Sequence, residues 1–165
     1  MPKKKAIPEA HAAAFLTFAL EYHSAAEHLF DLRSTLSLPV NFLYFHAVEL
    51  ALKAFLRSFD VPIEKNHKLT KLYEECRRHG LVIGPSDRFQ IGNIVSLLES
   101  GNKYQGFRYF NHESTSMPDL SWTREVAREL MWAVEQRLEI HSKQNPVSAA
   151  AVKAVMVFSK PASKT

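Results

Sequence analysis

NFLYFHAVELALKAFL, residues 41–56, decides how this chain folds. It contains neither proline nor glycine, and its apolar residues point in nearly every direction around a helix axis. A helix of that kind belongs inside a bundle, because no orientation leaves only polar atoms in water. One polar line interrupts it: His46, Glu49 and Lys53. Spacings of three and four put these residues on one helical face. Buried polar groups without partners cost about 1–3 kcal/mol each, so the line is either a structural network or a site. Glu49 four residues ahead of Lys53 is the favoured orientation for an intrahelical ion pair, which is the structural alternative. The functional alternative is a polar pocket for a nucleotide or phosphate, with Lys53 as its charge. His67 opens the next apolar-periodic segment, HKLTKL at residues 67–72, and so joins the line near a helix N-terminus that attracts anions.

Working outward, the same periodicity predicts four more helices. The first covers residues 8–32, with Pro8 in its first turn and Phe15, Phe18, Ala19, Tyr22, Ala25, Ala26 and Leu29 as its stripe. The central helix covers 39–60, and Pro62 blocks its continuation. The third covers 67–79, between a capping Asn66 and Gly80, with Leu69, Leu72, Tyr73 and Cys76 inward. The fourth covers 86–100, capped by Ser86 and ended by Gly101, with Ile91, Ile94, Val95 and Leu98 inward. The fifth covers 121–142, capped by Ser121 or Asp119, with Val126, Leu130, Ala133, Val134 and Leu138 inward. No alternation of helices with strands is visible. The expected fold is all-α: an up-down four-helix bundle with an additional short helix.

A chain of 165 residues fits one domain. The expected division is a basic N-terminal segment over 1–7, the helical domain over 8–145, and a C-terminal tail over 146–165 that forms a short docking element. The sequence pI of about 9.2 suggests a nucleic-acid binder. However, Lys3, Lys4, Lys5, Lys160 and Lys164 lie in the terminal stretches. Taking these five from the 21 Lys and Arg leaves 16, against 17 Asp and Glu, so the body is near −1. The basicity is therefore concentrated in the terminal stretches, which read as solvated, disordered ends, with polyanion-steering arms as the alternative. The single cysteine, Cys76, excludes an internal disulfide and sits at an inward helical position. This reads as a cytoplasmic, reducing-compartment protein. No run approaches the roughly 18 apolar residues of a membrane span. Residues 12–20 imitate a signal-peptide core, but Glu9 and His11 intervene and the helical spacing continues past Tyr22.

Between the fourth and fifth helices lies a segment over 102–120 that is long for a compact bundle. It holds Gly106-Phe107-Arg108-Tyr109-Phe110-Asn111-His112. An arginine pairs a phosphate through two parallel hydrogen bonds. A histidine close by can move the proton of a ribose 2′-hydroxyl, and aromatics such as Tyr109 can stack on bases. Together these make a metal-free ribonuclease kit. The structural alternative has Arg108 bonding carbonyls or Glu49 while the aromatic side chains plug the bundle. Metal chemistry is not expected. A di-iron bundle needs Glu-x-x-His on two helices, and only Glu64 with His67 fits. Cys76 stands alone, so a zinc cluster fails. There is no P-loop, dinucleotide glycine motif or serine-hydrolase elbow, and no cofactor is expected.

FHAVELALKAFL, then His67-x-Leu-x-x-Leu72, then Gly106-Phe107-Arg108-Tyr109 resemble the HEPN domains (higher eukaryotes and prokaryotes nucleotide-binding) over about residues 8–141. The resemblance implies an all-α bundle that forms a homodimer. It also implies either a metal-independent ribonuclease of toxin–antitoxin and phage-defence systems, or a module without catalysis. Such modules bind RNA or nucleotide, or partner a nucleotidyltransferase or an antitoxin protein. In the ribonuclease branch the arginine is followed by a polar residue, and four to six residues separate it from the histidine. Here Tyr109 follows Arg108, and three residues separate Arg108 from His112. Carried onto this chain, Arg108 would stabilise the phosphorane charge and His112 would move the 2′-hydroxyl proton.

The leading expectation is a HEPN-like module that binds RNA, a nucleotide or a protein partner in a toxin–antitoxin or defence setting, without efficient catalysis. Its binding residues are His46, Glu49, Lys53, His67 and Tyr109. The alternatives are an active metal-independent endoribonuclease using Arg108 and His112, and a structural interaction subunit held together by the 147–158 tail.

Overall fold

The structure, a computed structural model, describes residues 8–31, 37–63, 68–84, 88–102 and 118–144. Five helices run through them: α1 (Pro8–Asp31), α2 (Ser37–Ser58), α3 (Leu69–Arg78), α4 (Arg88–Gly101) and α5 (Leu120–Gln144). No strand occurs among the described residues. The expected all-α bundle is therefore present, with the ten-residue α3 as its short helix.

The apolar surround of α2 determines the arrangement. Tyr44, Phe45, Val48, Ala51, Leu52 and Phe55 are all fully buried. The helix touches each of the other four. α1 lies antiparallel to it: Tyr44 meets Glu27, and His46 meets Tyr22. α3 is antiparallel on another side, since Leu72 shares a cleft with Leu56 and Cys76 reaches Leu52. α4 folds back along α3, with Glu99 at Thr70 and Ile91 beside Tyr73.

α5 breaks the alternation. Arg124 contacts Glu27 near the start of α2, and Arg137 stacks over Phe59 at its end, so α5 runs in the same sense as α2. The end of α4 and the start of α5 therefore lie at opposite ends of the bundle, about 20 Å apart at 1.5 Å per helical residue. Topology thus supplies a reason for the length of the segment between them.

The inner faces expected for α3, α4 and α5 are all buried, and α5 adds Thr123, Ala127 and Met131. The stripe expected for α1 is kept in Phe15, Ala19, Ala26 and Leu29, which are buried or pack against the core, and two of its members lie outside it. Phe18 is 53% exposed and Ala25 faces water, while Ala12, Leu16, Ala19 and Ala26 are buried. Small residues at 12, 19 and 26 let α1 approach the bulky α2 closely, and the larger Phe18 is left outside.

The helix ends have identifiable chemistry. α2 and α3 both finish in Schellman motifs. In the first, Val61 N–H donates to the Leu56 carbonyl and Asp60 N–H to Arg57. Asp60 occupies the left-handed position at φ 58°, a conformation that Asp tolerates better than most residues. In the second, Leu81 N–H donates to Cys76, Gly80 N–H donates to Arg77, and Gly80 has φ 86°. Asp119 caps α5 by accepting from the Ser121 and Trp122 amides. Asn66 and Ser86, the caps expected for α3 and α4, lie outside the described residues. At α3 the structure shows a tertiary cap instead: Thr70 N–H donates to Glu99 Oε2 at 2.7 Å. Replacing Glu99 with Ala should destabilise the protein by about 0.5–2 kcal/mol and raise hydrogen exchange in the first turn of α3 selectively. Uniform exchange changes across the bundle would contradict this.

Candidate functional site

The polar line on α2 is present: Glu49 is buried, and His46 and Lys53 are half-buried beside it. Glu49 is 2% exposed, and the side chains of Lys53 and His46 are 12% and 16% exposed. Lys53 Nζ donates to Glu49 Oε1 at 2.5 Å. This is the intrahelical pair that the i,i+4 spacing implied, taken into the core. The other carboxylate oxygen lies 3.7 Å from His46 Nδ1, a charge contact longer than a hydrogen bond.

Aromatic rings fix the position of His46. Phe42 meets it edge-on at 4.4 Å between centroids, Tyr22 of α1 lies at 5.2 Å and Phe45 at 5.7 Å. His46, Glu49 and Lys53 are thus brought together. His67, Arg108, Tyr109 and His112, the other expected site residues, lie outside the described residues.

A second polar cluster, which sequence reasoning missed, centres on Glu27 of α1. Tyr44 Oη donates to its Oε1 at 2.8 Å. From α5, Arg124 donates to its Oε2 through Nε at 3.0 Å and Nη2 at 2.9 Å. Arg128 adds Nε at 3.2 Å to each oxygen and a shorter contact through Nη2. Arg124 also donates to Asp31 at 2.8 Å, and its guanidinium lies 4.1 Å over the Phe30 ring.

Burial pushes the Glu27 carboxyl up, but hydrogen bonds from Arg124, Arg128 and Tyr44, with the charge of Arg128, more than reverse this and hold it at about 2. Burial, then the adjacent carboxylate, push the Tyr44 hydroxyl up. Burial lowers His23, which lies 3.8 Å from Glu27, against the opposing pull of that carboxylate. The available signal was two complementary i,i+4 pairs, Glu27 with Asp31 and Arg124 with Arg128. Nothing local shows that these pairs face each other across the chain.

A cleft of about 520 Å³ lies elsewhere, between the end of α2 and α3. Leu56, Val61 and Ile63 give it an apolar wall, and Lys71, Glu74 and Arg78 line its mouth. None of His46, Glu49 and Lys53 lines it. Cys76 is buried, its thiol directed at the Leu52 carbonyl, and burial pushes its pKa up, which makes it an inert core residue. Among the described residues, no group of three or more His, Cys, Asp or Glu is placed to hold a metal ion. No described helix is long and apolar enough to cross a membrane.

The sequence matches the HEPN domain over residues 12–144, from α1 to the end of α5. The chain belongs to the HEPN domain family. No curated protein and no solved structure matches it. In this HEPN domain the α2 line is a closed acid–base pair beside a ring-clamped histidine, and the Glu27 cluster ties the start of α5 to α1 and α2.

Two predictions follow from these clusters. Glu49→Ala strands Lys53 in the core and should cost about 3–5 kcal/mol in urea unfolding, whereas Glu49→Leu with Lys53→Met should recover most of that loss. A cost below about 1 kcal/mol for the single change would mean that the pair is solvated. The Glu27 carboxyl is held below its ordinary 4.5, so its stabilisation is complete above that pH and is lost as pH falls toward about 2. Glu27→Gln should therefore be less stable than the parent at pH 7, by about 1–3 kcal/mol, with the two converging toward pH 2. A pH-independent gap would contradict the assignment.

Proposed function

We propose that this HEPN domain is an RNA- or nucleotide-binding module without efficient catalysis, acting in a toxin–antitoxin or defence setting. The observation that carries this reading is the state of Lys53. Its ammonium is half-buried and paired with Glu49, so the cation of the α2 line is already engaged by a carboxylate of its own helix. His46, held among Phe42, Tyr22 and Phe45, has the same inward, supporting character. The line therefore serves as a scaffold, and the ligand-facing chemistry falls to Arg108, Tyr109, His112 and His67. Arg108 supplies a planar cation for phosphate, and Tyr109 a stacking surface for a base. The lysines of the two terminal stretches supply the steering charge. As a HEPN domain it pairs as a homodimer and works beside an antitoxin or nucleotidyltransferase-type protein.

A second reading, a metal-independent endoribonuclease, is favoured by the presence of Arg108 and His112 in one short segment. One experiment separates the two. Purified protein is incubated with labelled single-stranded RNA in EDTA, beside an Arg108→Ala/His112→Ala control, and both binding and cleavage are followed. The proposal expects salt-sensitive binding, weakened in the control, with no cleavage above the control. Cleavage that survives the chelator and disappears in the control would establish the ribonuclease. Absence of binding both to this RNA and to a mononucleotide tested beside it would overturn both readings.

A further inference from the structure

The two tryptophans of the chain are both on α5, and both are exposed: Trp122 by 46% and Trp132 by 61%. Trp122, Glu125, Glu129, Trp132 and Gln136 follow one another at spacings of three and four, so they form one face. None of the five is buried. The opposite side of α5, through Val126, Leu130, Val134 and Leu138, is fixed in the core. The outward face therefore joins two large indoles to a pair of carboxylates. Tryptophan is the residue type most concentrated in well-packed contact surfaces. A helix that leaves both indoles in water exposes apolar area for which the described residues provide no cover.

We propose that the chain's own C-terminal segment, residues 147–158, covers this face of α5. Three observations select that occupant. The segment starts just beyond the end of the same helix, since α5 ends at Gln144. Its composition complements the face. Val147, Val152, Val155, Met156, Val157 and Phe158 supply apolar contact, and Lys153, with Lys160 just beyond the segment, supplies positive charge toward the acidic face that holds Glu125. From 145 to 165 there is no Asp or Glu to oppose them.

The chain is also long enough. Trp132 lies about 18 Å and Trp122 about 33 Å back along the helix from Gln144. An extended chain reaching to Phe158 spans about 46 Å. A single strap laid antiparallel on α5 can thus cover both indoles. This arrangement is separate from the RNA-binding reading and does not depend on it.

Because the chain has no other tryptophan, its intrinsic fluorescence reports this face alone. The full-length protein is compared with full-length Met156→Ser/Phe158→Ser, with far-UV circular dichroism to verify equal helicity. The expected result is emission at longer wavelength and stronger acrylamide quenching in the variant, with the difference unchanged on dilution. Full-length Lys153→Glu/Lys160→Glu provides an independent arm. It should lose the protection at low salt, and high salt should bring the parent toward it. Identical spectra and quenching in the parent and both variants would overturn the proposal. A difference that disappears on dilution would also overturn it, because a second copy would then be the cover.

Discussion

The bundle depends on the enclosure of α2. A helix that is apolar nearly all round has no stable position at a surface, so the other four helices are arranged where they can cover it. α1 and α3 lie antiparallel to it, α4 packs back on α3, and α5 returns in the same sense as α2. Among the described residues, the ion pair inside that enclosure is Glu49 with Lys53, and it is tolerated because the two charges lie at hydrogen-bond distance. His46 is tolerated among aromatic edges in the same way. In the folded chain these groups are packed against one another and against aromatic rings of α1 and α2.

A second constraint fixes α5. Few residues of α1 and α5 touch, so the Glu27 cluster carries much of their orientation. One carboxylate accepts from two arginines and a tyrosine, while Asp31 and the Phe30 ring hold Arg124 from the other side. Bidentate arginine geometry makes that contact directional, which apolar packing is not. The cluster lies at the end of the bundle where α5 begins, so the orientation of α5 is set where the chain enters it from the 103–117 segment.

The sequence was informative wherever one helical period was enough. The α2 enclosure, the Glu49–Lys53 pair, the inner faces of α3, α4 and α5 and the role of Cys76 were all legible from local spacing. The α1 face was legible in Phe15, Ala19, Ala26 and Leu29, but Phe18 and Ala25 at its edge face water. The Glu27 cluster was invisible because its members are far apart in the chain, and only the direction of α5 brings them together. The cap on α3 was sought in the neighbouring Asn66, whereas Glu99 comes from another helix. Arg108 and His112, with Tyr109 and His67, lie outside the described residues, so their reading rests on their order in the sequence.

The central claim is that α2 is the enclosed helix on which everything else is laid. Native-state amide hydrogen exchange tests it most directly. The amides from Tyr44 to Phe55 should exchange slowest of all and open only with global unfolding, while α1 and α5 show lower-energy openings. Amides of α2 that exchange as readily as those of α1 or α5 would contradict it.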